Sequence, residues 1–237
     1  MKMEDNMLAK DLMNPGVITV GPDASVTDIA ALLIDKKISA VPVVEDDNRL
    51  CGIVSEGDLM RRISSEGDDK RSWWLKMVAS NAEEAYDFIK AHGRTAKDIM
   101  TKNVATVDED TEISDVAQLL ESRHIKRVPV INDGKVVGII SRSNLLQLVA
   151  GQKTEIKEQV SISDRELRRK VYDVLSDKNF ASHGTLNVIV VNGVVELWGW
   201  VETETERNAL LLAASEVPGV TEVSDHFGKV SPWVWGA

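Results

Sequence analysis

Two short stretches hold the residues best suited to binding chemistry. Ser55 and Asp58 stand in Gly52-Ile53-Val54-Ser55-Glu56-Gly57-Asp58-Leu59, and Ser141 and Asn144 stand in Gly138-Ile139-Ile140-Ser141-Arg142-Ser143-Asn144-Leu145. In both, an apolar run of strand character ends at a serine and passes into helical sequence. A strand entering a helix there leaves backbone N–H groups at the helix start, which favours an anion. The Ser55 hydroxyl can donate to a phosphate oxygen. Asp58, one turn later, can accept two hydrogen bonds from a ribose diol. The same pair reads equally as a helix cap with a first-turn acid, worth about 1 kcal/mol with no ligand at all. The two roles are compatible.

Upstream of Ser55, the apolar backbone of Val17-Ile18-Thr19 and of Ile38-Ser39-Ala40-Val41, with Pro42 after it, can sandwich an adenine whose edge is read by main-chain groups. The plainer reading of Thr19 is a β-branched strand residue, and of Pro42 a strand-start residue with no donor to lose. In the second stretch Asn144 replaces the carboxylate, and an amide cannot accept from both ribose hydroxyls. Arg142 offsets this with a cation near the expected phosphate. Lys126 and Arg127 add positive charge beside Val128, and Thr106 takes the place of Thr19. This second site either prefers a more highly phosphorylated ligand or binds weakly. A solvated basic surface is the alternative.

The elements that must position these residues are duplicated. Ala9-Lys10-Asp11-Leu12-Met13 is answered by Ala96-Lys97-Asp98-Ile99-Met100, and Val41-Pro42-Val43-Val44 by Val128-Pro129-Val130-Ile131. Pro42 and Pro129 are 87 residues apart, Gly52 and Gly138 only 86, so the second copy has lost one loop residue. Two copies of a unit too small for an ample core imply a pseudo-symmetric pair. Each copy reads as strand or loop, helix, strand, strand, helix. Ser25 with Asp28 caps a helix running from Thr27 to about Lys36.

Residues 64–95 form an insert. Ser64 to Asp69 is a flexible acidic turn, and Ser72 to Ala91 is helical in pattern, with Trp74, Val78, Ala82, Ala85 and Ile89 on one face. So much apolar surface needs covering, by the paired repeats or by a second copy of the chain. After a polar linker at 151–160, Ser163 to Glu166 reads as a capping box. A helix, a hairpin turning at Asn192-Gly193, a second helix capped by Thr203 and a last strand at Val220 to Val223 follow. Trp198 and Trp200 share one strand face. They serve either to pack against another domain or the tail Trp233-Val234-Trp235, or as a partner or membrane-interface platform. Arg165, Arg168, Arg169 and Lys170 form a basic cluster that suits anionic headgroups or, more plainly, solvent.

The quoted repeats resemble the cystathionine β-synthase (CBS) domain, and two copies resemble the tandem pair called a Bateman module. Asn192-Gly193-Val194-Val195-Glu196-Leu197-Trp198-Gly199-Trp200-Val201 with Val217-Pro218-Gly219-Val220 resembles a BON domain. The resemblance implies an α+β fold: a first CBS repeat at 1–63, the helical insert at 64–95, a second repeat at 96–150, the linker, an αββαβ BON domain at 161–231 and a tail at 232–237. It implies an adenosine-containing regulatory ligand (AMP, ADP or ATP) in the cleft between the repeats, relayed to the BON domain. It also implies a homodimer, and a BON module that meets phospholipid or a protein. The alternative is a dimeric adaptor with no nucleotide role.

Other classes fit less well. The net charge of −10 lacks the basic footprint of unspecific nucleic-acid binding. The four histidines are scattered, Cys51 is alone, and neither a phosphate loop nor a glycine-rich dinucleotide fingerprint occurs, so neither catalysis nor a metal is expected. No apolar run approaches the roughly 18 residues of a membrane span, the first residues lack a signal-like core, and a reducing, cytoplasmic setting is expected.

Overall fold

The computed structural model describes residues 7–65, 93–151, 162–177 and 186–229. In chain order the elements of the two repeats are α1 (Ala9–Leu12), α2 (Val26–Asp35), β1 (Ala40–Val44), β2 (Leu50–Ser55), α3 (Glu56–Ser65), α4 (Ala96–Ile99), β3 (Val107–Asp108), α5 (Ile113–Ser122), β4 (Arg127–Asn132), β5 (Lys135–Ser141) and α6 (Arg142–Gly151). The C-terminal part adds α7 (Ile162–Ser176), β6 (Asn187–Val191), β7 (Val194–Val201), α8 (Glu204–Ser215) and β8 (Glu222–Lys229). The fold is α+β. Its described residues divide into two compact units: one lies within Ile18–Ala105 and Asp133–Val136, the other within Met1–Val17, Thr106–Asn132 and Val137–Ala237.

In the first of these units α2 begins one residue before the expected Thr27, with the expected cap in place: the Ser25 hydroxyl accepts the Asp28 N–H at 3.1 Å. Ile29 and Leu33 of α2 are buried on Val41, Val43 and Val54 of the antiparallel β1–β2 pair. Strand β2 also meets the segment after α4: Ile53 and Thr101 exchange backbone hydrogen bonds of 3.1 and 2.9 Å. That contact lays Met100 over Gly52, where an added Cβ would stand 2.3 Å from Sδ and 3.0 Å from Cβ of the methionine.

The second unit repeats the arrangement with the other lead-in. Asn14 and Ile139 exchange backbone bonds of 2.9 and 3.0 Å, and Met13 covers Gly138, where an added Cβ would lie 2.2 Å from Sδ. The two lead-in segments are therefore exchanged, since 9–13 packs with the body of the second copy and 96–100 with that of the first. Strand β3 pairs in parallel with β4, which pairs with β5.

The C-terminal part belongs to this second unit and has the expected helix–hairpin–helix–strand order. Its sheet runs β6-β7-β8, with β6 and β7 antiparallel and β7 and β8 parallel. The hairpin turns through Asn192 (φ 53°) and Gly193 (φ 78°), the left-handed pair that suits the twist of a two-residue hairpin. Alternation splits β6 between two cores. Val188 and Val190 join Leu167, Val171, Leu197, Leu210 and Ala214, whereas Ile189 and Val191 pack with Leu12, Val116, Val128 and Ile140 of the second repeat.

Several sequence expectations change here. Helix α7 begins at Ile162, upstream of the box expected at Ser163, and buried Asp164 accepts the Gly193 N–H at 2.9 Å, tying the helix to the hairpin. The basic cluster is not a solvated face. Arg168 is 7 % exposed and donates to the carbonyls of Val188 (2.7 Å), Lys10 (2.8 Å) and Met13, the last two at the C-terminal end of α1. Arg165 grips buried Asp11 with two bonds of 2.7 and 3.0 Å, and only Arg169 and Lys170 of the four remain exposed. Burial pulls the Arg168 pKa down against the opposing influence of Tyr172 and Asp11, but a guanidinium keeps its proton. Ser64 and Ser65, expected to open a turn, complete α3. Gly151, expected to open the linker at 151–160, ends α6, and the insert helix, the rest of that linker and the tail tryptophans lie outside the described residues.

Three substitutions test this packing. Gly138→Val forces Met13 to move from its root and should cost about 1–3 kcal/mol, read by urea denaturation. Gly21→Ala, with nothing within 4 Å of the new carbon, should change stability by less than about 0.5 kcal/mol. Arg168→Leu orphans three carbonyls and should cost about 3 kcal/mol, with amide exchange accelerated in β6 before the rest of the second unit.

Candidate functional site

The site in the first unit forms where β2 ends and α3 begins. Ser55, the last residue of β2, lies opposite Ala40 in the β1–β2 register, and the Glu56 N–H donates to the Ser39 carbonyl at 3.0 Å. Val20 runs parallel to β1, donating to the Pro42 carbonyl (3.1 Å) and accepting from Val44 (2.9 Å), which sets half-buried Thr19 beside this strand. The fold thus brings Thr19, Ile38, Ser39, Ala40, Val41, Pro42, Ser55 and Asp58 to one end of a small sheet. Their side chains are not equivalent there. Val41 is wholly within the core and offers only its main chain, whereas Ile38 is half-buried at the edge of the same cluster.

Asp58 is the best-held side chain of the group. Its Oδ2 accepts from the Ser55 N–H (2.9 Å) and from the Ser55 hydroxyl (2.7 Å), and its Oδ1 accepts from Arg61 at 2.5 Å. The carboxylate is 3 % exposed while the Arg61 side chain is 61 % exposed, so the pair joins a buried acid to a solvated base. This is the capping role, and it uses the two groups that a sugar phosphate would address. To donate to a phosphate, the Ser55 hydroxyl must leave Asp58.

The second unit builds the same junction. The Arg142 N–H donates to the Lys126 carbonyl at 3.0 Å, matching the bond from Glu56 to Ser39. Asn144 Oδ1 accepts from the Ser141 N–H (2.8 Å) and the Ser141 hydroxyl (2.7 Å), so the amide oxygen fills the place of the Asp58 carboxylate oxygen. Thr106 precedes β3, which pairs in parallel with β4, the strand carrying Arg127 and buried Val128. Lys126 is exposed at its edge. The Arg142 guanidinium, expected at a phosphate, donates to the Leu120 carbonyl near the C-terminal end of α5 at 3.0 Å.

The two junctions differ most in charge. Glu56 and Asp58 stand in the first turn of α3, where Arg142 and Asn144 stand in that of α6. An anion meets two acids, one of them neutralised by Arg61, in the first unit and a base in the second. Cys51, on β2, donates to the Val43 carbonyl at 3.3 Å, and burial followed by the charge of Glu45 pushes its thiol pKa up, which suits a packing residue and not a nucleophile.

Sequence reasoning missed two contributors that its own spacing held. Arg61 and Gln147 stand three residues beyond Asp58 and Asn144, the separation at which helical side chains meet, and each bonds its predecessor. The two tryptophans of the shared strand face divide between the two expected roles. Trp198 stacks on His226 with ring centroids 3.8 Å apart and packs against the core of the second repeat. Trp200 is 53 % exposed and lies over Gly228. Among the described residues no group of three or more His, Cys, Asp or Glu could hold a metal, and no helix is long and apolar enough to cross a membrane.

Comparison with known proteins agrees with this architecture. The CBS domain family matches residues 9–65 and 96–151, and the BON domain family matches 163–227. Protein MJ1426 of Methanocaldococcus jannaschii is 32 % identical over 152 residues, which are 60 % of this chain and 90 % of that protein. The chloroplastic CBS domain-containing protein CBSX2 of Arabidopsis thaliana is 31 % identical over 153 residues, 61 % of this chain and 64 % of its own length. The crystal structure of CBSX2 in complex with AMP superposes with a TM-score of 0.54 at 30 % identity, covering 62 % of this chain and 99 % of that one. With the motif carried twice, the junction built twice and the family matched twice, this chain belongs to the CBS-domain proteins and joins its CBS pair to a C-terminal BON domain.

Proposed function

We propose that the protein is a non-catalytic regulator that binds an adenosine nucleotide at its strand-to-helix junctions and passes the binding on to its BON domain. One observation carries this reading: the same serine, with the same two bonds to an acceptor three residues on, closes the same junction in both units. The AMP complex of a structure 30 % identical to this chain supports the choice of ligand class. A nucleotide phosphate would take the Ser55 or Ser141 hydroxyl, and its ribose would take the acceptor thereby relieved. Arg61 is the partner that Asp58 releases at least cost, because its guanidinium regains water on leaving. In the second unit Lys126, Arg127 and Arg142 supply positive charge, which favours ligands with more phosphates there.

The proposal includes a cytoplasmic homodimer. Exposed Ile34 and Met60 on the helices of the first unit, and exposed Leu146 and Val149 on α6 of the second, are apolar surface suited to a second copy. The adaptor reading, with a BON domain that meets phospholipid or protein, retains Trp200, Arg169 and Lys170 as its surface. Trp198, Arg165 and Arg168 are committed inside the second unit.

The test is the melting temperature of the full chain with AMP, ADP, ATP or S-adenosylmethionine. A ligand at 100 times its dissociation constant should add about 2.7 kcal/mol. Asp58→Ala should cost about 1 kcal/mol by itself through the lost cap and should remove the part of the gain that belongs to the first site. Absence of any shift with all four compounds would sink the nucleotide reading and leave the adaptor.

A further inference from the structure

The second site ends in the BON domain through side-chain amides. Asn144 has its orientation set by the backbone: the Ser141 N–H can face only an oxygen, so Oδ1 turns toward it and Nδ2 is left for the next turn of α6. There it faces Gln147 Oε1 at 3.4 Å. The same oxygen accepts a shorter bond, 2.8 Å, from Asn187 Nδ2 at the start of β6. Asn187 is 2 % exposed, and its own Oδ1 accepts from the Tyr172 hydroxyl at 3.1 Å. That hydroxyl also accepts the Val188 N–H at 3.0 Å, and the Tyr172 ring lies under Arg168, 4.9 Å from ring centre to guanidinium carbon. Arg168 in turn holds the end of α1.

A continuous polar path therefore joins Ser141 to the residues that seat the BON domain on the second repeat. The first unit has no counterpart among the bonds described above, because Asp58 is answered at the same spacing by Arg61, a largely exposed side chain. We propose that Asn144, Gln147 and Asn187 couple the second site to BON docking, so that a nucleotide that recruits Asn144 loosens the seat of β6. The proposal rests on nucleotide binding at this junction. An Asn144 Nδ2 that turns to a ligand is withdrawn from Gln147, so ligand and BON domain compete for one amide and each weakens the other. Coupling of this kind is reciprocal: a loosened BON domain must raise nucleotide affinity by the same factor.

The experiment uses the full chain carrying Asp58→Ala, which leaves the second site to be read alone, with ATP as the probe. Calorimetry reads binding, and amide hydrogen exchange in 186–191 reads docking. Saturating ATP is expected to speed exchange in 186–191 by about fivefold, the lower end of common coupling factors. Gln147→Met should abolish that response while ATP binds as well or about fivefold more tightly. Gln147→Glu keeps an oxygen for both amides and should restore the response. If Gln147→Met does not fold, Gln147→Asn withdraws the oxygen by one methylene and takes its place. ATP binding with unchanged exchange in 186–191, or a full response in Gln147→Met, would overturn the relay and leave the proposed function standing. No ATP binding in any of these chains would overturn the relay, and no nucleotide-induced melting shift in the unmutated chain would overturn the binding reading itself.

Discussion

Each unit depends on a methionine lying where a side chain is missing. Gly52 and Gly138 leave room for Met100 and Met13 at distances that no Cβ tolerates, and the adjoining backbone exchange brings an otherwise unsupported segment onto the edge of the sheet. Helices of four residues cannot persist alone, since nucleation is unfavourable and so few bonds repay it. Helix α1 exists because its lead-in is pinned at Met13 and Asn14 and because Asp11 accepts the Leu8 N–H at 2.8 Å. Helix α4 is held in the same way, with Asp98 accepting from Thr95, whose hydrogen bonds pull the acid's pKa below its ordinary value. Once α1 is fixed, its last carbonyls become a seat for Arg168, and the BON domain has a place to dock.

How much of this could be read from the chain depends on the range of the interaction. Contacts within a turn were legible: Ser25 with Asp28, the Asn192-Gly193 hairpin, and the serine with its acceptor three residues later all follow from local geometry. The exchange of lead-in segments was not, because a repeat says that two segments are alike and not which body each one joins. Arg168 misled for a related reason. Charges clustered on a helix usually face water, and only the arrival of an α1 terminus 158 residues away makes burial tolerable. Trp198 was assigned to the correct strand face, yet what covers that face comes from the second repeat, to which no local pattern points.

The candidate sites show the same division. Duplication reproduces main-chain geometry faithfully, so Glu56 to Ser39 and Arg142 to Lys126 are the same bond in two places. Side chains then diverge without disturbing the frame. Replacing Asp58 by its amide counterpart at 144 preserves the oxygen that accepts from serine and converts the other oxygen into a donor. A donor has no use for a guanidinium three residues on, and Gln147 stands there with an acceptor. One exchange of carboxylate for amide thus accounts for an ion pair with a solvated base in one unit and a neutral, partly buried hydrogen-bond path in the other.

The neutral path also explains how polar groups survive in the seat of the BON domain. A buried donor or acceptor costs about 1–3 kcal/mol if left unsatisfied, so such a seat is acceptable only when its members answer one another. Apolar contact from Ile189, Val191 and Trp198 supplies the attraction, which is not directional and would tolerate a slip of β6. The bonds from Asn187 and Arg168 do not tolerate it, since a shift of one residue turns β6 over and presents Val188 where Ile189 belongs. Attraction and register therefore come from different residues on the same strand. A loss of the polar contacts would leave the domain attached but no longer uniquely placed, which is the condition under which a small change at Asn144 can be felt across the interface.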